Sequence, residues 1–101
     1  MKIYIDDIRD PPDKSWTVIR ELNVALDLIK VLEFYDSKIE AISFDHDLGG
    51  DDTTRPVMMF LCEKNYWPKN IIIHTANPVG REYLEQLTIR YAPAGILKRN
   101  Y

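Results

Sequence analysis

The most constraining feature of this sequence is the run from Asn70 to Ala76, which reads Asn-Ile-Ile-Ile-His-Thr-Ala. Its three consecutive isoleucines leave no polar face, so the run predicts a strand covered on both sides, as the central strands of parallel sheets are. Parallel strands need crossover connections, which are usually helices. We therefore expect an α/β fold built on a parallel sheet.

The rest of the chain supplies the other elements of such a fold. Apolar or β-branched runs predict four further strands, and apolar residues spaced three and four apart predict helices. Pro11 and Pro12 exclude a helix between the first two strands. The expected strands are 2–5, 16–19, 39–44, 70–76 and 94–98, and the expected helices are 23–35, one that begins after Thr54, and 78–91.

Length and cysteine content exclude several classes of protein. With 101 residues, we expect one domain over 1–101. Cys62 is the only cysteine, which excludes an internal disulfide framework and a cysteine-based zinc site. The N-terminal segment soon turns acidic, and no stretch approaches about 18 apolar residues. We therefore expect a cytoplasmic protein with no membrane partner.

The net charge of −3 hides an asymmetry along the chain. Residues 1–52 carry 6 basic and 13 acidic side chains, whereas residues 53–101 carry 7 basic and 3 acidic ones. All ten aspartates lie in the first part. Solvated loops and helix caps explain this pattern, and so does a cation site next to an anion site. Without a Lys/Arg run, a long nucleic-acid groove is not expected.

Four carboxylates follow predicted strands. Asp6 and Asp7 come after the first strand, and Asp45 and Asp47 come after the third. The carboxyl ends of parallel strands meet at one edge of the sheet, where α/β proteins bind ligands. Carboxylates gathered there repel one another unless a hard cation such as Mg²⁺, or Mn²⁺, compensates them. The alternative is that one Asp of each pair faces solvent or caps a turn.

Two histidines lie next to these strand ends. His46 stands between Asp45 and Asp47, where it is a candidate general acid or a loop residue that only holds a carboxylate. His74 ends the fourth predicted strand. Both imidazoles are therefore expected near the carboxylates.

The segment after His74 predicts an anion site. Asn77 is a predicted cap and Pro78 the first helical residue, which leaves free amides near Val79, Gly80 and Arg81 at the positive end of the helix dipole. Gly80 allows close approach, and Arg81 adds a planar fork of donors that suits phosphate. The alternative is an ordinary capped helix with Arg81 on the surface.

The order of these groups resembles response-regulator receiver domains. Such domains have acids after the first strand, Asp after the third, a hydroxyl residue after the fourth, here Thr75, and Lys at the fifth, here Lys98. This chain differs by lacking the first crossover helix and by having Gly49-Gly50 in place of Met-Pro. His74 and Asn77-Pro78 are also extra.

These differences resemble a narrower group, the cyclic-phosphate processing receiver-like domains. The resemblance lies in four segments in the same order along the chain, residues 6–12, 16–19, 44–49 and 74–80. Thr75 stands where that family usually has Ser. It implies a flavodoxin-like three-layer fold with a five-stranded parallel sheet in the order 2-1-3-4-5 and a polar pocket at its carboxyl edge.

The activity that the resemblance implies is metal-dependent processing of a cyclic or terminal phosphate, on a nucleotide or a 2′,3′-cyclic RNA end as in RNA repair. The rival hypothesis is a non-catalytic module that accepts a phosphoryl group on Asp45 or Asp47, or that sequesters a phosphorylated nucleotide. The expected catalytic residues are Asp45, His46, Asp47 and His74; the expected phosphate-binding residues are Arg9, Thr75, Asn77, Gly80, Arg81 and Lys98; and the expected metal ligands are Asp6, Asp7, Asp45 and Asp47.

Overall fold

The computed structural model describes residues 1–98, which form a five-stranded parallel sheet with three helices. The strand order is β2-β1-β3-β4-β5, with every neighbouring pair parallel, which confirms the predicted fold class and sheet order. The strands are β1 Lys2–Ile5, β2 Trp16–Ile19, β3 Ala41–Phe44, β4 Asn70–Ile73 and β5 Leu97–Lys98, and the helices are α1 Leu22–Phe34, α2 Arg55–Lys64 and α3 Pro78–Tyr91.

The hydrophobic core lies between the helices and one face of the sheet. Alternate strand residues point to opposite faces. The core contains the strand residues that point to only one of these faces, together with side chains from all three helices. Its fully buried members are Ile3, Ile5, Ile42, Phe44, Ile71 and Ile73 from the strands, and Ala25, Ile29, Val57, Met58, Leu61 and Leu84 from the helices.

The opposite face of the sheet has no helical layer within residues 1–98. The step from β1 to β2 runs against the direction of the later crossovers, so a right-handed connection puts residues 6–15 on this second face. A loop therefore takes the place of the helix that a three-layer arrangement would have there. Ile72 faces this side and is only partly buried, unlike the fully covered strand that the isoleucine run predicts.

Arg20 holds this loop against the end of the sheet. Its Nη1 donates to the backbone oxygens of Asp6, at 3.1 Å, and Arg9. Its Nη2 donates to Oδ1 of Asp10 at 2.8 Å. Side-chain hydrogen bonds thus position a segment in which two prolines prevent a helix.

Element boundaries differ from the sequence prediction by a few residues. The fifth strand is Leu97–Lys98 rather than 94–98, because Gly95 has a φ of +85° and turns the chain before it. Residues 99–101 of the expected domain lie outside the described residues. Within residues 1–98, no helix is long and apolar enough to cross a membrane.

Candidate functional site

Three of the four predicted carboxylates come together at the carboxyl edge of the sheet. Asp6 and Asp7 follow β1 and Asp45 follows β3, and these two strands are neighbours. Each residue offers an oxygen atom, and the three oxygens lie within 4.8 Å of one another. Within residues 1–98, this group of carboxylates does not include Asp47. We call Asp6, Asp7 and Asp45 the acidic cluster.

Asp6 is the most deeply buried member of the acidic cluster. Its Oδ1 accepts hydrogen bonds from the backbone amides of Ile8 and Arg9, each at 2.9 Å. Its Oδ2 accepts from Nε of Arg9 at 3.0 Å and from Nε2 of His74 at 2.9 Å. Burial by itself raises the pKa of Asp6, but the two amides, His74 and the Arg9 charge outweigh it and lower that pKa. Asp6 is therefore a carboxylate.

His74 holds Asp6 from the second face of the sheet. Its ring stacks on Tyr4 with centroids 4.5 Å apart, and its Nδ1 lies 2.7 Å from Oγ of Ser43. Because Nε2 donates to the Asp6 carboxylate, Nδ1 accepts from the Ser43 hydroxyl. Burial lowers the pKa of His74, although Asp6 opposes that shift. His74 is thus a neutral donor that orients Asp6.

Sequence reasoning missed Ser43. The alternation of side chains along the strands places Ser43 on the same face as His74. Ser43 and Ile72 are register partners, and His74 comes two residues after Ile72 on that face. A hydroxyl inside an apolar strand has to find a partner when it is buried. Together these two facts predict the Ser43–His74 hydrogen bond.

Arg9 contacts the acidic cluster. Besides the bond from Nε to Asp6, its Nη2 lies 3.3 Å from Oδ1 of Asp45. That same Asp45 oxygen accepts from the backbone amide of His46 at 2.8 Å. The Arg9 side chain is 48% exposed. A predicted phosphate-binding residue therefore spans two carboxylates.

His46 lies beneath the edge of the site. Its side chain is only 6% exposed, with Nδ1 3.1 Å from Oδ1 of Asp47. Nε of Arg55 donates to Nε2 of His46 at 2.8 Å. Since Nε2 accepts, the ring proton is on Nδ1 and is donated to Asp47. The Arg55 guanidinium also lies over the Tyr83 ring, 4.0 Å from its centroid.

Asp47 is a second carboxylate centre at the edge of the acidic cluster. Nδ2 of Asn77 donates to its Oδ2 at 3.1 Å, while His46 holds the other oxygen. The Asn77 bond, with the smaller contribution of His46, lowers the pKa of Asp47 against the opposing effect of burial. Its side chain remains 58% exposed. Asp47 is thus an ionised carboxylate that is fixed in direction and open to solvent.

The start of α3 differs from the predicted anion site. Oδ1 of Asn77 accepts from the amides of Val79 at 3.0 Å and Gly80 at 3.1 Å, as a helix cap does. The amide of Arg81 donates to the backbone oxygen of Asn77 at 2.8 Å. The prediction of free amides is therefore wrong, because the capping residue itself engages them.

Gly80 makes room for His46. A Cβ atom on Gly80 would lie 2.3 Å from Cγ of the His46 ring, a separation that real Cβ atoms do not show. The close approach that the glycine allows is therefore that of the His46 side chain, from the loop after β3 to the first turn of α3. Gly80 supports the site by letting His46 reach Asp47.

Two predicted phosphate-binding cations lie away from the acidic cluster. Nη2 of Arg81 donates to the backbone oxygen of Thr75 at 2.9 Å, and its Nη1 lies 3.4 Å from Glu85. Nζ of Lys98 donates to the backbone oxygen of Gly95 at 2.9 Å and is exposed. Neither residue lines the pocket above the acidic cluster.

A pocket of about 330 Å³ opens above the acidic cluster. Thr75 lies at its wall, where its Oγ1 accepts from the amide of Asn77 at 3.1 Å. Six of the twelve predicted site residues therefore line this pocket, and His46 and His74 lie behind it. The residues that line the pocket are Asp7, Ile8, Arg9, Asp45, Asp47, Gly49, Thr75, Ala76 and Asn77.

Comparison with known proteins assigns a family. The sequence model of the cyclic-phosphate processing receiver domain matches residues 1–90, which span β1 to α3 and include every residue that lines the pocket. No curated protein and no solved structure matches the chain. The match to nine-tenths of the chain agrees with the sheet order and with the acids at the ends of β1 and β3. The chain therefore belongs to the family of cyclic-phosphate processing receiver domains.

Proposed function

We propose that this protein is a metal-dependent phosphoesterase that hydrolyses a cyclic or terminal phosphate at the carboxyl edge of its sheet. The observation that carries the proposal is the acidic cluster, whose oxygens lie within 4.8 Å of one another and two of whose members, Asp7 and Asp45, line a pocket of about 330 Å³. Arg9 and Asn77 supply donors at the same pocket. Acidic and donor groups side by side suit a cation and a phosphate bound together.

The donor set of the acidic cluster fits Mg²⁺ or Mn²⁺. Carboxylate oxygens are the ligands that hard divalent cations prefer, and no sulfur ligand lies in the pocket lining. Asp6, Asp7 and Asp45 would hold the cation. Bound there, the cation would activate water and offset charge on the phosphoryl oxygens.

Asp47 is the base in this proposal. It is ionised, and His46 and Asn77 fix its direction at the pocket wall. A water molecule attacks phosphorus and gives its proton to Asp47, while the bond from phosphorus to the leaving oxygen breaks. The leaving oxygen takes a proton from solvent. A cyclic phosphate would thus open to a phosphate monoester.

Arg9, Thr75 and Asn77 bind the phosphate in this proposal. Arg9 brings a half-exposed guanidinium, whose planar fork matches phosphate oxygens. The Thr75 hydroxyl and the Asn77 amide lie at the same wall. Arg81 and Lys98 have no part in it, because their side chains are engaged elsewhere.

The two histidines are positioning residues in this proposal. The His46 and His74 side chains are 6% and 9% exposed, and both nitrogens of each ring have a partner within the protein. These positions favour holding Asp47 and Asp6 in place over proton donation to a substrate. That either ring protonates the leaving oxygen stays a prediction from the sequence.

The substrate in this proposal is a small phosphorylated ligand or an RNA end, met in the cytoplasm. A pocket of about 330 Å³ lies at the lower end of the range for small-molecule sites. The −3 net charge disfavours tracking along a nucleic-acid backbone.

A substrate screen tests the proposal. The wild type is incubated with cyclic mononucleotides, cyclic dinucleotides and RNA with 2′,3′-cyclic ends, with Mg²⁺ or Mn²⁺ and with chelator. We expect metal-dependent opening of at least one substrate, abolished in Asp45→Asn and retained in Asp51→Asn, a matched change at an exposed residue outside the pocket lining.

Two results would favour the rival hypothesis. Stable labelling of Asp45 or Asp47 by acetyl phosphate, with no turnover of cyclic phosphates, would identify a phosphoacceptor. Tight binding of a nucleotide that survives chelator and is released intact would identify sequestration. Metal bound at the acidic cluster with no turnover of any substrate would contradict the enzyme under the conditions tested.

A further inference from the structure

Arg9 binds the same carboxylates that the proposed cation needs. Its Nε bonds Oδ2 of Asp6 at 3.0 Å, and its Nη2 lies 3.3 Å from Oδ1 of Asp45. Its positive charge offsets part of the repulsion within the acidic cluster, as a metal ion would. Arg9 and a divalent cation are therefore competitors for two of the three members.

Because of the hydrogen bonds that Asp6 accepts, Arg9 and a cation cannot both bind it directly at the same time. An ionised carboxylate has about four lone-pair sites, and Asp6 accepts four hydrogen bonds, two from backbone amides and one each from Arg9 Nε and His74 Nε2. A cation can bind Asp6 directly only if one donor leaves.

Of those donors, the Arg9 side chain is the one free to move. The Ile8 and Arg9 amides are part of the loop that Arg20 holds. His74 is clamped between the Tyr4 ring and the Ser43 hydroxyl. The Arg9 side chain is half exposed and lines the pocket, so it can rotate toward the pocket and solvent.

We infer that Arg9 is a displaceable counter-ion that couples the cation to the phosphate. Without a cation its guanidinium is paired with Asp6 and Asp45. Cation binding at the acidic cluster displaces the guanidinium from these carboxylates into the pocket, where it meets the phosphate. This inference rests on the proposed function, since it concerns the same cation and phosphate.

Thermodynamic linkage between cation and phosphate binding predicts a signature in the two affinities that would be absent if Arg9 had only a structural role. If the cation frees Arg9 for phosphate, phosphate must strengthen cation binding by the same factor. Replacing Arg9 by Gln removes a competitor of the cation and a ligand of the phosphate, so the two affinities change in opposite directions. A variant that merely damaged the site would weaken both.

Calorimetric titration tests this signature. Mg²⁺ affinity is measured for the wild type and Arg9→Gln without phosphate, and inorganic phosphate affinity is measured at saturating Mg²⁺. We expect Arg9→Gln to bind Mg²⁺ about tenfold more tightly and phosphate about tenfold more weakly. Arg90→Gln, which makes the same change of charge at the far end of α3, is expected to leave both affinities within twofold of the wild type.

A second measurement follows the side chain itself. In ¹⁵N-correlated NMR spectra, the Nε–H signal of Arg9, assigned by its loss in Arg9→Lys, is expected to be protected from exchange without metal. Saturating Mg²⁺ is expected to remove that protection. A protected signal at saturating Mg²⁺ would overturn the inference, as would weaker Mg²⁺ binding by Arg9→Gln.

The outcomes separate this inference from the proposed function. If the wild type binds no Mg²⁺ at millimolar concentration, both fail. If Mg²⁺ binds and cyclic phosphates are opened, but Arg9→Gln has unchanged Mg²⁺ affinity, the counter-ion role alone fails. A thermal melt of each variant shows that the comparison is between folded proteins.

Discussion

Nε of Arg55 lies 2.8 Å from Nε2 of His46, so an arginine in the first turn of α2 determines which nitrogen of that imidazole carries the proton. The ring then donates from Nδ1 to Asp47. A residue that does not line the pocket thereby controls the direction of a carboxylate that does.

Replacing Arg55 by Leu removes the donor to Nε2 and lets His46 adopt the other tautomer, which cannot donate from Nδ1 to Asp47. If the proposed function holds, we expect kcat to fall about tenfold, the effect of losing one positioning hydrogen bond to a charged group. Long-range ¹H–¹⁵N spectra report the tautomer directly. Arg55→Lys, which can still donate to Nε2, is the matched control; unchanged tautomer ratios in Arg55→Leu would contradict the prediction.

Adding a methyl group at Gly80 drives it into the His46 ring, from which a Cβ would be 2.3 Å away. We expect Gly80→Ala to lower the free energy of unfolding by about 1–3 kcal/mol, as overpacking does. Urea denaturation measures this. Val79→Ala, one residue earlier on the same helix and exposed, is expected to change it by less than about 0.5 kcal/mol. Equal effects of the two changes would contradict the clash.

The pKa of His74 is lowered in the folded protein, so the unfolded chain binds this proton more readily. Without metal, stability is therefore fully present above the ordinary imidazole pKa of about 6.5 and is lost as the pH falls from there toward the folded pKa. The Asp6 pKa is also lowered, so a further loss follows below about 3.8. We expect His74→Gln to flatten the upper part of this profile, measured by urea denaturation with chelator present. A wild-type profile flat between pH 6.5 and 5 would contradict it.

Divalent cations are expected to stabilise the folded protein through the acidic cluster. Mg²⁺ at about 100 times its dissociation constant adds about 2.7 kcal/mol to the free energy of unfolding, which appears as a higher melting temperature. Chelator reverses the shift, and Asp45→Asn reduces it. Asp51→Asn, at an exposed position outside the cluster, keeps it. A Mg²⁺ shift of the same size in Asp45→Asn and the wild type would place the cation elsewhere.

Much of the fold was predictable because its signals are local. The isoleucine run of β4, the prolines of residues 10–14 and the helix cap at Asn77 each act within a few residues. The family resemblance then predicted the strand order, which the structure confirms. The sequence also excluded the first crossover helix, but the prediction that β4 is covered on both faces was wrong, because Ile71 and Ile72 look alike in sequence while the topology puts helices on only one side of them.

The site likewise combines features that local sequence signals predicted with contacts that depend on the tertiary structure. The positions of Asp6, Asp7 and Asp45 followed from strand ends, since parallel strands bring their carboxyl ends to one edge. The hydrogen-bond and ion-pair partners of those residues could not be predicted from strand ends. Gly80 looked like a phosphate-binding glycine, yet it accommodates His46, a contact between helix α3 and a residue 34 positions earlier in the sequence.

The sequence by itself thus determined that carboxylates gather at one edge of the sheet, because strand alternation and strand ends are properties of short segments. Only the tertiary structure decided what those groups do there. Arg9 spans carboxylates, Asn77 uses up the helix amides, and Arg55 sets the proton on His46. Hydrogen bonds form between whichever donors and acceptors packing brings within about 3 Å, and that distance depends on the whole fold.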